Sequence, residues 1–316
     1  MASSHGRGLV HLAAALDQPS AYDARPYVEA ALLAERGGLD FVTLDDTFAQ
    51  FGLDALAVLS QVAPATGRIG LVPTVTAPHP GPFLVHAAVA SLDRVSRGRA
   101  GWRIDVSTTE GEAPLVGHRR LEGHAGMPDV SLSVTGPAIV TQPPRGNPVR
   151  VVDVTDGPAL ETAARYADVA LVHAATAAQA ASLRDQLCSM AAEFGRRPGE
   201  PRILARLLVD LGDGEHAAAP GHGGGGPRQT AQGPLYRGGP VDLAELIATW
   251  HGDGIVDGFH LTPAEPLRDL ERLVNGTVAL LQHRGLFRTF YPGSTLREHL
   301  GLARSANQCA AAGGAP

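Results

Sequence analysis

The sequence predicts a single (β/α)8 barrel, the α/β fold known as the TIM barrel. Eight apolar runs of strand length, most of them rich in Val, Ile or Leu, occur along the 316 residues. Such runs are typical of parallel strands that are buried on both faces. Segments with helical periodicity separate most of the runs, and this alternation within one chain is the pattern of a (β/α)8 barrel. We therefore expect residues 1–316 to form one barrel domain.

The predicted strands are short, and most contain β-branched or aromatic residues. In chain order they cover residues 9–16, 39–44, 68–76, 100–107, 148–154, 168–174, 202–211 and 257–263. Helical periodicity extends over residues 25–38, 52–67, 82–98, 157–167, 176–195, 241–254 and 266–285. Several of these segments have Pro, Thr or Asp at the start and Gly at the end, as helices do.

Three segments are predicted to be irregular. Between residues 108 and 131, Gly or Pro occurs every few positions and no apolar stripe is sustained, so we expect a loop where a barrel helix belongs. Residues 212–240 are of low complexity with four consecutive glycines, and we expect a flexible loop there. The Ala- and Gly-rich residues 303–316 are expected to be a disordered tail.

Composition and charge narrow the classes of function. The net charge is −6 and the 26 basic residues are scattered, so we expect no nucleic-acid partner. No apolar run approaches the roughly 20 residues of a membrane span, and the first residues lack a convincing cleavage region. We therefore expect a cytoplasmic protein with no membrane partner. Cys188 and Cys309 lie far apart, which indicates neither a disulfide framework nor a zinc site, and we expect no metal.

Several blocks of the chain resemble one known family. They include "ALLAERGGLDFVTLDDTF" (31–48), "GRIGLVPTVTAPHPGPFLVHAAVASLDRVSRGRAGWRIDVS" (67–107), "DGFHLTP" (257–263) and "LLQHRGLFRTFYPGSTLREHLGL" (280–302). In this order they resemble the luciferase-like flavin monooxygenases, in the nitrilotriacetate monooxygenase branch. The resemblance implies a TIM barrel that uses reduced FMN from a separate flavin reductase, O2 as co-substrate and a small organic or secondary-metabolite substrate. It also implies a possible homodimer, although core packing explains the apolar stripe of residues 82–95 equally well.

Candidate cofactor residues follow the second and third predicted strands, because barrel active sites lie at the carboxyl ends of the strands. The resemblance implies that Asp46 contacts the flavin, and helix capping is the alternative for this residue. Thr74 and Thr76 share one face of a strand by the two-residue period and are expected to present hydroxyls to the flavin ring. The alternative is that these β-branched residues only fill the strand. The family also implies a cis peptide nearby, and we predict it at Val72–Pro73.

Candidate catalytic residues are His11, His79 and Arg103. His79 lies in a proline-bracketed loop that we expect at the barrel mouth, and His11 is placed at the end of the first strand, because histidine exchanges protons near neutral pH. His173, near the end of the sixth strand, is a weaker candidate. If Arg103 and Asp105 point into the barrel they must be paired, since a lone buried charge is strongly unfavourable. Arg103 is therefore either half of a structural ion pair or a contact to the flavin or the substrate.

Two features depart from the family. After the fifth strand the family has a Gly/Ser turn that holds the FMN phosphate, and here Val154 replaces the glycine while Asp156 stands at the serine position. A carboxylate within a few ångströms of a phosphate is repelled by at least about 1 kcal/mol. Thr155 and the amide of Gly157 remain candidate contacts, so we expect a weak phosphate site. The second departure is the loop predicted at 108–131, where the family has a long helical insertion.

Two functions from different classes follow. The first is a monooxygenase that depends on reduced FMN. The second is a derived barrel with weak or no flavin binding, which acts as a cofactor-free isomerase or cyclase through His11, Asp46 or Arg103, or as a non-catalytic partner protein. The fold does not discriminate between them, because TIM barrels support unrelated chemistries.

Overall fold

Eight parallel strands close into a barrel in the computed structural model, which describes residues 8–17, 23–45, 54–76, 82–105, 147–212 and 226–303. The barrel strands are β1 (His11–Ala15), β2 (Phe41–Leu44), β3 (Gly70–Thr76), β4 (Gly101–Asp105), β5 (Val149–Val154), β6 (Val169–His173), β7 (Arg202–Asp210) and β10 (Gly258–Pro263). Each pairs in parallel with the next, and β10 pairs with both β7 and β1. The prediction of a TIM barrel is confirmed, and each predicted strand overlaps an observed one.

Helices cover the outside of the barrel. They are α1 (Arg25–Arg36), α2 (Ala55–Ala65), α3 (Pro82–Ser96), α4 (Gly157–Tyr166), α5 (Ala177–Glu193), α6 (Pro240–Gly252), α7 (Pro266–Arg272), α8 (Ala279–His283) and α9 (Leu296–His299). A π-helical segment, Leu273–Val278, joins α7 to α8. The polar side chains of Asp54 and Thr176 cap α2 and α5 by accepting backbone N–H bonds, as the predicted start signals require.

The amino end of the barrel interior is apolar and closed. Inward-facing residues of six strands pack in one cluster with Leu296 of α9 and with Leu300, which directly follows that helix. The strand residues include Ala13, Phe41, Val72, Val151, Leu171 and Leu204. A Cβ added at Gly70 on β3 would lie 2.6 Å from Leu296 Cδ1, so glycine is needed for α9 to approach this closely. The polar residues of the interior therefore concentrate toward the carboxyl ends of the strands.

One prediction about loops is wrong in part. Within residues 212–240, β8 (Arg228–Thr230) and β9 (Gly233–Arg237) form an antiparallel hairpin, and β9 extends the sheet by pairing in parallel with β7. The hairpin is held because Pro234 and Tyr236 alternate on its buried face. Its strand signal is only five residues long and lies beside a Gly-rich run. The predicted loop at 108–131 and residues 304–316 of the predicted tail lie outside the described residues.

Candidate active site

A polar layer lies above the apolar floor, toward the carboxyl ends of the strands. The two-residue period that turns Ala13, Phe41 and Leu171 inward also turns their second neighbours inward. The inward-facing polar residues that result are Thr43, Asp45, Thr74, Arg103, Asp153, His173, Arg206 and His260. They come from seven barrel strands or the residues that directly follow them, so the barrel closure brings together residues far apart in sequence.

Four charges of this layer form a network of ion pairs. Arg103 contacts Asp45 directly, and its Nη1 lies 3.8 Å from Asp153 Oδ2. Arg206 contacts Asp153 directly, and its Nη2 lies 3.7 Å from Asp45 Oδ2. Each carboxylate therefore faces both guanidiniums. Such pairing is what allows charged groups to be buried inside a barrel.

Asp153 also binds His173, the last residue of β6. Burial raises the pKa of Asp153, but the hydrogen bond from His173 and the charges of Arg206 and Arg103 outweigh burial and hold that pKa well below its usual range. Because Asp153 is ionised, Nε2 of His173 donates the hydrogen bond to its Oδ1. In the neutral ring, Nδ1 then carries the lone pair, so this pair of residues can accept a proton at Nδ1.

His260 occupies the centre of the layer as a neutral group. Its ring is fully buried, and Nε2 lies 2.9 Å from Thr43 Oγ1. Burial, together with the positive charges of Arg206 and Arg103, lowers the pKa of His260 well below its usual value. Among the described residues, neither its Nδ1 nor the buried Oγ1 of Thr262 has a hydrogen-bond partner. Both atoms are therefore available to a polar molecule inside the barrel.

Asp17 and Thr74 hold Asp45 in place. Asp17 Oδ1 accepts a 2.8 Å hydrogen bond from the Asp45 amide, and Thr74 Oγ1 donates a 2.9 Å bond to Asp45 Oδ1. Burial raises the pKa of Asp17, and the charges of Arg103 and Arg206 oppose this rise only in part. Asp45 is thereby held where it balances the charges of the two arginines.

The β8–β9 hairpin closes one side of the mouth. A small cavity is lined by His173, Arg206, Leu208, Gln232, Pro234 and Thr262. A Cβ added at Gly233 would lie 3.7 Å from His173 Nδ1, so this nitrogen faces the hairpin. The lone pair of His173 is therefore directed to the side of the ring where the hairpin and the cavity lie.

The predicted cofactor residues are only partly brought together. Thr74 is buried and faces the barrel interior, whereas the side chain of Thr76 on β3 lies outside the described part of the chain. Asp46 also falls outside the described residues. At the start of α4, the Asp156 carboxylate accepts a 2.8 Å hydrogen bond from the Ala159 amide and so caps its own helix.

Thr155 and Gly157 are both exposed beside that cap, and a Cβ added at Gly157 would contact nothing. The roles predicted for Thr155, Asp156 and Gly157 in binding the phosphate stay predictions.

The predicted catalytic residues lie in different places. Arg103 is inside the mouth, where it pairs with Asp45, and its contact to the flavin or the substrate stays a prediction; the side chain of Asp105 is outside the described residues. His79 also falls outside them. The placement of His11 is wrong: it is the first residue of β1, at the opposite end of the barrel, where Nδ1 lies 3.2 Å from Asp40 Oδ1.

Asp40 also contacts Arg288. Burial raises the pKa of Asp40, but His11 and Arg288 outweigh burial and lower it, so His11 belongs to a buried ion cluster at the floor.

A second expectation is wrong as well. Among the described residues the cis peptide bond precedes Pro201, and Val72–Pro73 is trans.

Sequence reasoning missed Asp153, Arg206 and His260 as site residues. Each is a polar residue with an apolar neighbour on both sides within its strand. A charge at an inward-facing position near the carboxyl end of a barrel strand is the signal that identifies them.

A closed parallel barrel with a layer of charged side chains at its carboxyl ends defines an enzyme whose site lies at that end. The sequence model of the family described as "Luciferase-like monooxygenase" matches residues 7–130. Nitrilotriacetate monooxygenase component A of Aminobacter aminovorans is 25% identical over 418 aligned residues, which cover 92% of this chain and 92% of that protein. These similarities support the luciferase-like monooxygenase family for this chain, as the sequence blocks predict.

Two further comparisons agree with this assignment. N-acetyl-S-(2-succino)cysteine monooxygenase of Bacillus subtilis is 25% identical over 401 aligned residues, which cover 90% of this chain and 91% of that protein. The structure of EDTA monooxygenase from Chelativorans sp. BNC1 superposes with a TM-score of 0.77 at 18% identity, over 94% of this chain and 99% of that chain. The second comparison confirms the fold.

The chain is shorter than its nitrilotriacetate-oxidising relative. Their alignment extends over 418 positions, whereas this chain has 316 residues, so the relative carries insertions that this chain lacks. The loss of a helical insertion after β4 stays a prediction, since residues 106–146 lie outside the described part. No helix in the described ranges is long and apolar enough to cross a membrane.

Proposed function

We propose that the chain is a monooxygenase that uses reduced FMN delivered by a separate flavin reductase, consumes O2 and acts on a small organic substrate. The observation that carries the proposal is the layer of inward-facing polar side chains at the carboxyl ends of the strands. Similarity to flavin-dependent monooxygenases supports the same function.

The residues of the mouth fit the ring of a flavin. An isoalloxazine ring presents hydrogen-bond donors and acceptors along one edge, and the mouth offers Arg103, Thr74 and the unpartnered polar atoms of His260 and Thr262. Bound reduced FMN supplies the chemistry that activates O2 for insertion of one oxygen atom into the substrate. The protein contributes a preorganised polar surface, because the charges around Arg103 are held in place before any ligand arrives.

The end that would hold the phosphate fits less well. The Asp156 carboxylate occupies the amide at the start of α4 that a phosphate would otherwise use, and it adds a negative charge there. The open space around Gly157 and the exposed Thr155 still leave room for an anion. We therefore propose that the protein binds the phosphate weakly and holds the cofactor mainly through contacts to the isoalloxazine ring.

His173 is the group in the mouth that is best placed to move a proton. Its Nε2 is committed to Asp153, so a proton from a substrate or a water molecule is taken up at Nδ1, beside the hairpin. The ion pair with Asp153 stabilises the imidazolium that forms. The β8–β9 hairpin excludes water from this side of the mouth.

Titration with FMN in its oxidised and reduced forms tests the proposal. We expect micromolar binding of anaerobically reduced FMN, measured by absorbance and calorimetry. Absence of binding at millimolar reduced FMN would contradict it and favour the derived barrel without flavin, which then acts as a cofactor-free isomerase or cyclase or as a partner protein.

The phosphate end has its own test in Asp156→Ser. Serine keeps the helix cap but removes the charge, so FMN should bind about 5-fold to 10-fold tighter, which corresponds to about 1 kcal/mol. Riboflavin has no phosphate and should be unaffected. The same change at the cap of α2, Asp54→Ser, is the matched control and should alter neither affinity. Equal gains for FMN and riboflavin would show that the phosphate does not lie near Asp156.

A further inference from the structure

We propose that Asp153 determines substrate specificity: it cancels the positive charge of the mouth, so that the enzyme takes an uncharged substrate and excludes polycarboxylates. This inference rests on the proposed function, because it concerns the substrate of the same site. It concerns a residue on β5 that contacts several cationic or protonatable side chains at once.

Asp153 is the shared partner of three side chains. Its Oδ2 contacts Arg206 and lies 3.8 Å from Arg103 Nη1, and its Oδ1 accepts the hydrogen bond from His173. Two of these three, His173 and Arg206, line the cavity beneath the hairpin. The positive charge of Arg206 at the cavity wall is therefore already balanced by Asp153.

Asp45 completes the cancellation. It contacts Arg103 and lies 3.7 Å from Arg206, so the two guanidiniums meet two carboxylates in one layer. Among the other described groups that face this layer, His260 is neutral and Asp17 carries no positive charge. A carboxylate group of a substrate would reach Arg206 only at a position where it also meets Asp153.

The expected effect of this arrangement is large. Two like charges about 6 to 8 Å apart change a binding constant by about 10-fold or more when the effective dielectric constant is about 20, as in partly buried sites. Repulsion by Asp153 then offsets the attraction by Arg206. An uncharged substrate experiences neither, and it retains the polar contacts offered by Gln232, Thr262 and His173 Nδ1.

Calorimetric titration with metal-free nitrilotriacetate, a tricarboxylate, tests the inference. The wild-type protein should show no binding at millimolar nitrilotriacetate, whereas Asp153→Asn should bind it at least about 10-fold more tightly. The gain should disappear in Asp153→Asn/Arg206→Gln, because the freed guanidinium is its source. Asp185→Asn, which removes a charge from the exposed face of α5, is the matched control and should behave as wild type.

Two results would overturn the inference. One is tight binding of nitrilotriacetate by the wild-type protein, which needs no variant. The other is a gain in Asp153→Asn that persists without Arg206. If Asp153→Asn does not fold, as circular dichroism would show, Asp45→Asn should give the same gain. Flavin titrations of the same proteins distinguish the two proposals. If the proteins bind no flavin but bind nitrilotriacetate as expected here, only the proposed function is contradicted.

Discussion

Replacement of Arg103 by Gln should lower the free energy of unfolding by about 2 to 4 kcal/mol. The Arg103 side chain is 5% exposed, and that of its partner Asp45 is 24% exposed. Removal of one partner from a buried ion pair leaves the other charge uncompensated, which costs about 3 to 5 kcal/mol. Arg206 lies 3.7 Å from Asp45 and continues to balance part of its charge, so we expect a smaller loss of about 2 to 4 kcal/mol.

Urea unfolding at neutral pH, followed by far-ultraviolet circular dichroism, measures this change. The control is Arg284→Gln, which removes an ion pair with Glu245 whose side chains are 33% and 58% exposed. Exposed pairs contribute about 0 to 1 kcal/mol, so the control should change little. The double variant Arg103→Gln/Asp45→Asn should recover part of the loss, because no charge is stranded. Equal losses in Arg103→Gln and Arg284→Gln would refute the reasoning, and so would a double variant no more stable than Arg103→Gln.

Further changes in stability follow from the floor and the mouth of the barrel. Gly70→Ala should cost about 2 to 3 kcal/mol in urea unfolding, because the new Cβ would overlap Leu296, whereas Gly157→Ala, where a Cβ meets open space, should be close to neutral. Asp153 has a lowered pKa in the folded state, so its charge stabilises the fold above pH about 4 and this contribution is lost as the pH falls further. Asp153→Asn should therefore flatten the acid branch of the stability curve, and parallel curves for the two proteins would contradict this. Asp17 has a raised pKa, so Asp17→Asn should stabilise the protein at neutral pH, with the gain vanishing below pH about 4.

The residues of the barrel site show which features a local sequence pattern predicts and which it does not. The two-residue period predicts that Thr74 and Thr76 share one face of β3, and Thr74 is buried and bonded to Asp45 inside the barrel. The partner of Arg103 is not predictable in this way, because Asp45 lies 58 positions earlier and meets it only through the register of three adjacent strands. The prediction for His11 is wrong because the apolar run of residues 9–16 does not show where the strand within it begins. The strand is His11–Ala15, so His11 lies at its amino end.

The order of strands and helices was determined by the sequence, because apolar runs and helix start and stop signals are local properties of the chain. The membership of the polar layer was decided only by the tertiary structure. Asp153, Arg206 and His260 are isolated polar residues in apolar strands, and nothing near them in sequence explains how they are tolerated. Their burial is possible because closure of the barrel sets opposite charges from distant strands beside one another, and this compensation exists only in the folded molecule.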